Sequence, residues 1–173
     1  ALLHDYHIAD LVFRLQAQSG SSHLVGKTVG ELGIRQQYGI TILEVRRANR
    51  TVFSSNIQES VSADTILQAD DTFYVLGHRE QVEKFAAEHN LSVYEDVERE
   101  GKGKLDFYEI GLAEVLISPD SSLINRSLRK ANFKERFGVN VLAIKRQGKY
   151  LFDNVLDNVV KNGDMILVHG EWK

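Results

Sequence analysis

The sequence predicts an α/β protein of the α+β kind, built as two tandem copies of one small fold. Each copy reads as a small β-sheet with short helices, and the two are related by pseudo-symmetry. Three observations predict this. The apolar positions of one half reappear in register in the other, a polar stretch with two glycines separates the halves, and the composition suits a packed core. Of 173 residues, 43% are hydrophobic and 26% charged, which is near the globular average. That length accommodates two small domains, each with its own core.

The repeat is explicit. HLVGKTVGELGIRQQYGITILEVRR (His23 to Arg47) aligns with SLINRSLRKANFKERFGVNVLAIKR (Ser122 to Arg146) at a shift of about 99 residues, 146 minus 47. Leu24 answers Leu123, Val25 answers Ile124, Val29 answers Leu128, Tyr38 answers Phe137, and Gly39 answers Gly138. DDTFYVLG (Asp70 to Gly77) then matches GDMILVHG (Gly163 to Gly170) at a shift of about 93, because a longer middle loop in the first copy absorbs the difference.

In chain order, Leu11, Phe13, Leu15 and Ala17 alternate with polar residues, and Gly111 to Ser118 is a mostly apolar run, so both predict first strands. Val25, Val29 and Leu32, with Ile124, Leu128 and Ala131, follow helical spacing, and Ser22 and Ser121 precede them as caps. Gly39 and Gly138 suit a left-handed helix end before the buried strands Ile40 to Val45 and Val139 to Ile144. Hairpin turns follow at Ala48 to Asn49 and Gln147 to Gly148, returning as Thr51 to Phe53 and Tyr150 to Phe152. The last strands are Thr72 to Leu76 and Met165 to Val168. Between the copies, Val82, Phe85, Ala86 and His89 make one face of a helix over His78 to Asn90. The run EDVEREGKGK then has linker composition, so the predicted domains are 1–94 and 106–173 with a linker at 95–105.

Composition also excludes. A net charge of -3 offers no overall field for a nucleic-acid backbone, so no nucleic acid is expected as partner. Cysteine is absent, which removes disulfides, thiolate metal sites and a cysteine nucleophile and fits a reducing, cytoplasmic compartment. No apolar run reaches the roughly 18 to 20 residues of a membrane span. The chain starts at Ala1 without Met and its first turn reads as a connecting segment, which predicts a piece of something longer.

Several motifs fail on inspection. GKT at Gly26 to Thr28 lacks the first glycine of a phosphate-binding loop, since residue 21 is Ser. Gly26, Gly30 and Gly33 miss the dinucleotide spacing. His4 and His7 lie three apart, but spacing places no third metal ligand. Asp70, Asp71 and Asp164 fall in turns, where Asp bonds its own backbone, and no serine sits in a nucleophile elbow. No enzyme is expected.

Two features support binding. Arg46, Arg47 and Arg50 correspond to Lys145, Arg146 and Lys149, which reads either as anion clamps or as charged edges that resist aggregation. The segments Leu24 to Thr28 and Leu123 to Ser127 read as helix N-termini with open amides beside Lys27 and Arg126, or simply as caps.

RFGVNVLAIKR and NGDMILVHG in the second copy, and their looser counterparts in the first, resemble the C-terminal half of the regulator of potassium conductance, the RCK-C or TrkA-C domain. The first copy departs from the pattern at Asp70, where the family prefers Gly, and the second has Asn125 where the first has Gly26. The resemblance implies a non-catalytic regulatory module at the cytoplasmic face of a channel or transporter, similar to the inserts of sodium-coupled anion symporters. It implies a homodimer, the transmembrane part of the same transporter as partner, and in some members a cyclic dinucleotide or other nucleotide as ligand. On this sequence the implied ligand region is His23, Leu24, Val25, Lys27 and Thr28, Leu123, Ile124, Arg126 and Ser127, with Arg47 and Arg146. The competing expectation is a structural oligomerisation domain that binds no small molecule.

Overall fold

Alternating burial along Val12–Ala17 marks it as a half-covered strand, β1, and the computed structural model forms it there. The structure describes residues 7–17, 24–47, 57–94 and 111–170, with 57–60 as backbone. The chain divides into two compact units that change over between Leu105 and Asp106. The predicted linker at 95–105 and its hinge at Glu95 to Lys104 lie outside the described residues, as do His23, the cap Ser22 and the turn at Ala48 to Asn49.

In the first unit β1 is followed by α1 (Val29–Leu32), α2 (Ile34–Tyr38), β2 (Thr41–Arg47), β3 (Ile57–Ser60), β4 (Thr72–Leu76), α3 (Arg79–Glu88) and β5 (Leu91–Tyr94). The strands make a five-stranded antiparallel sheet in the order β3-β2-β4-β1-β5. The second unit has β6 (Leu112–Leu116), α4 (Leu128–Ala131), α5 (Phe133–Phe137), β7 (Asn140–Arg146), β8 (Lys149–Leu151) and β9 (Met165–His169), in the order β6-β9-β7-β8. The two orders superpose strand for strand, with β5 extra, so the α+β repeat is present in both units. Each also carries an irregularity at the same place in its central pair, between Ile42 and Glu44 and between Val141 and Ala143.

One face of each sheet carries the core. In the first unit Phe13, Leu15, Tyr38, Phe73 and Val75 pack with Val82 and Phe85 of α3, and in the second Ile117, Phe133, Ile144, Ile166 and Val168 pack together. Gly77 and Gly170 end the last strands where no side chain fits: a Cβ at Gly77 would strike Ile40, and one at Gly170 would strike Val139.

Four expectations change. The predicted helix starts a turn later and is two short helices, because Gly33 (φ 54°) and Asn132 (φ 49°) adopt the left-handed conformation mid-pattern. Its caps are Thr28 and Ser127, whose hydroxyls accept from Glu31 N and Lys130 N, while Ser121 makes a local turn by accepting from Leu123 N. The first hairpin has a different register: Arg47 pairs with Ile57, whereas a turn at 48–49 would pair it with residue 50. Lastly, β5 is a strand that the sequence pattern did not signal. The second hairpin stands as expected, with Gln147 (φ 52°) and Gly148 (φ 75°) between Arg146 and Lys149. Gly39 and Gly138 are left-handed at φ 68° and 70°.

Candidate functional site

The region expected to hold a ligand forms the same small ladder in both units. In the first, Gly26 N donates to Leu67 O at 2.8 Å, Leu67 N donates to Lys27 O at 3.0 Å, and Thr28 bridges Ile66. In the second, Asn125 N donates to Val160 O at 2.8 Å, Val160 N to Arg126 O at 2.9 Å, and Ser127 bridges Val159. The departure at Asn125 is conformationally silent, since Gly26 (φ 84°) and Asn125 (φ 67°) are both left-handed, as are Asp70 (φ 65°) and Gly163 (φ 86°).

This ladder changes how the site can act. Amides expected to be open are bonded within the protein: Gly26 N to Leu67 O, Lys27 N to Leu24 O, Asn125 N to Val160 O and Arg126 N to Leu123 O. The Glu31 carboxylate closes a capping box by accepting from Thr28 N at 3.0 Å, so the first unit's helix start is also negatively charged. In the second unit Lys130 takes the position of Glu31. An anion here would meet side chains, Lys27 or Arg126 with Lys130, and no amide nest. Leu24 is buried, Leu123 and Ile124 partly so, and Val25, Lys27 and Arg126 are exposed.

Arg47 and Arg146 lie inward of this face rather than on a hairpin edge. Arg146 binds Asp164 in a fork, Nε to Oδ1 at 3.0 Å and Nη2 to Oδ2 at 2.8 Å, and its Nη2 also donates to Val159 O at 3.0 Å. Arg47 makes a looser counterpart, an ion pair with Asp71 (Nε to Oδ1, 3.5 Å) and a hydrogen bond from Nη2 to Ile66 O. The carboxylates, only 1% exposed, accept from their own turns as Asp in turns should, Asp71 from Gln68 N and Asp164 from Lys161 N. Burial alone would raise the Asp164 carboxyl. The Arg146 hydrogen bonds, the Lys161 amide and both positive charges outweigh it and hold the group below the ordinary carboxyl range, while the Arg146 guanidinium is raised. These arginines therefore tie the segments that carry Ile66 and Val159 to the buried aspartates.

Sequence reasoning named Val25 but missed Ile66, Val159 and Leu156 on this face. Val25 and Ile66 are exposed beside Lys27, and Val159 and Leu156 are exposed in the second unit, where the Ser127–Val159 bridge follows Arg126. The available signal was an apolar pair, Ile66 with Leu67 and Val159 with Val160, recurring at the same place before the last strand of each copy. Among the described residues no group of three or more metal-ligating side chains occurs, and His4 lies outside them.

A repeated unit with this ladder, this strand order and a closing glycine matches the TrkA-C domain over residues 18–90 and 112–173. The chain belongs to the TrkA-C domain family. TrkA-C relatives include an uncharacterized transporter of Escherichia coli, YfbS, 30% identical over 99% of this chain and 28% of that protein. Sodium/sulfate cotransporter 2 of Chlamydomonas reinhardtii is 27% identical over 88% of this chain and 17% of that protein. The chain thus spans less than a third of the curated relatives it matches. Among solved structures, the RCK_C domain dimer of S. agalactiae BusR in complex with c-di-AMP is 26% identical, at a TM-score of 0.33, over 35% of this chain and 75% of that one. No helix among the described residues is long and apolar enough to cross a membrane.

Proposed function

We propose that this chain is the regulatory part of a membrane transporter of inorganic anions, lying at the cytoplasmic face, and that its two TrkA-C units sense a small anionic ligand. The observation that carries the reading is the pairing of exposed apolar residues with a cation in both units, Val25 and Ile66 with Lys27, and Val159 with Arg126. Such a face suits a ligand with a flat apolar body and a negative charge, and a cyclic dinucleotide has both. Its relatives are transporters, which supports the setting. Held more tightly in one state of the transporter than in another, the ligand would shift transport by that difference in affinity.

Calorimetric titration of the purified chain with cyclic di-AMP, other nucleotides and divalent cations, with mass measured in parallel, tests this. Saturable heat that Lys27→Ala and Arg126→Ala abolish is the expected result. A stable dimer that takes up none of them overturns sensing and leaves the second reading, a structural oligomerisation domain.

A further inference from the structure

The two copies part company at Tyr38 and Phe137. These residues end equivalent helices, α2 and α5, yet Tyr38 is 6% exposed and Phe137 60%. A second pair agrees. Val12 faces Leu76 and Leu112 faces His169 at the ends of equivalent strands, which makes Leu15 and Val115 counterparts. Leu15 is fully buried and Val115 is 36% exposed.

The first unit shows what covers this face. Phe85 of α3 packs at a tilt against Tyr38 with ring centroids 5.1 Å apart, and β5 pairs with the outer side of β1, Leu15 opposite Val93. In the second unit, among the described residues, no helix follows β9 and β6 pairs with β9 alone. Charge differs in a matching way. Helices α1 and α2 carry Glu31 against Arg35, whereas α4 and α5 carry Arg129, Lys130, Lys134 and Arg136 against Glu135. Arg136 lies over the Phe137 ring at 5.2 Å, so the exposed aromatic is framed by positive charge.

We propose that the face made by Phe137 and Val115 is a docking site for a partner segment consisting of an acidic amphipathic helix followed by a strand. The helix places an apolar anchor on Phe137 and its carboxylates near Lys134 and Arg136, and the strand adds to β6. Helix-in-groove and strand addition are both common modes of peptide recognition, and here they act together on one element pair, as α3 and β5 do in the first unit. A strand edge that pairs with no other described strand favours this occupant over a lipid surface, which cannot pair with it.

The test uses the whole chain and a fluorescein-labelled peptide with the sequence His78 to Tyr94, HREQVEKFAAEHNLSVY, followed by fluorescence anisotropy and methyl NMR. Saturable binding is expected, with shifts at Val115 and around Phe137. Phe137→Glu and Val115→Glu should each weaken it by about tenfold or more, as loss of an anchor does. Lys134→Glu should weaken it in a salt-dependent way, and this exposed substitution leaves the core intact. Absence of saturable binding, or shifts confined to the first unit, overturns the proposal. So does self-association that Phe137→Glu abolishes, which would make a second copy the occupant, or capture of phosphatidylglycerol vesicles in place of the peptide.

Discussion

Asp164 and Arg146 show how one residue pair can hold a candidate binding face in place. The carboxylate is buried and the guanidinium reaches from it to the carbonyl of Val159. Removing the cation alone, as in Arg146→Met, strands a buried charge and should cost about 3–5 kcal/mol in denaturant unfolding, with the Arg146→Met/Asp164→Asn double variant costing less. Because the folded carboxyl lies below its ordinary value of 3.8, the pair contributes its full stability above that pH. The contribution disappears as pH falls through the lower folded value, so acid unfolding of Asp164→Asn should depend less on pH between about pH 4 and pH 2. Arg47 and Asp71 recur at the same repeat positions. That recurrence was readable in the sequence, where both arginines and both aspartates align. Their contact was not, because it joins strand and turn across a loop whose path the residue pattern leaves open.

At the scale of elements, α3 is held on the first unit by Tyr38, Phe85 and Glu88. The Tyr38 hydroxyl donates to the Glu88 carboxylate, and that hydrogen bond, then burial, then the neighbouring negative charge raise its pKa above the ordinary 10.0. A raised folded value means that the stabilisation is complete below pH 10 and is lost as pH rises through the folded pKa. Tyr38→Phe should cost about 1 kcal/mol at neutral pH and show a shallower loss of stability above pH 10, followed by circular dichroism melting. Most elements were legible beforehand: the alternation in β1, the left-handed glycines before β2 and β7, the apolar stripe of α3. The misreadings have physical causes. Gly33 and Asn132 interrupt a helical stripe without breaking its spacing, so one helix was expected where two stand. LSVY in β5 is short and at a sheet edge, where pairing with β1 supplies the order that four residues lack.

For the whole molecule, the repeat located two units, and the charged, glycine-bearing run at 95–105 marks their proposed boundary. Limited trypsin digestion should cut first at Arg99, Lys102 or Lys104 and release two resistant fragments, read by mass spectrometry. Early cuts inside β2 or β7 would contradict that boundary. The candidate face was half legible at this scale, its cations and Val25 from the repeat, and Ile66 and Val159 only once the ladder had placed them. The strand order carries a further consequence. In each unit the first strand pairs with the last of the repeat, Phe13 with Val75 and Val115 with Ile166. A loop spanning the repeat must therefore close before the sheet exists, which makes folding slow relative to a helical bundle of the same size. During synthesis the first sheet has to wait until Leu76 has left the ribosome, and by then its hairpins have stood for some time as open edges.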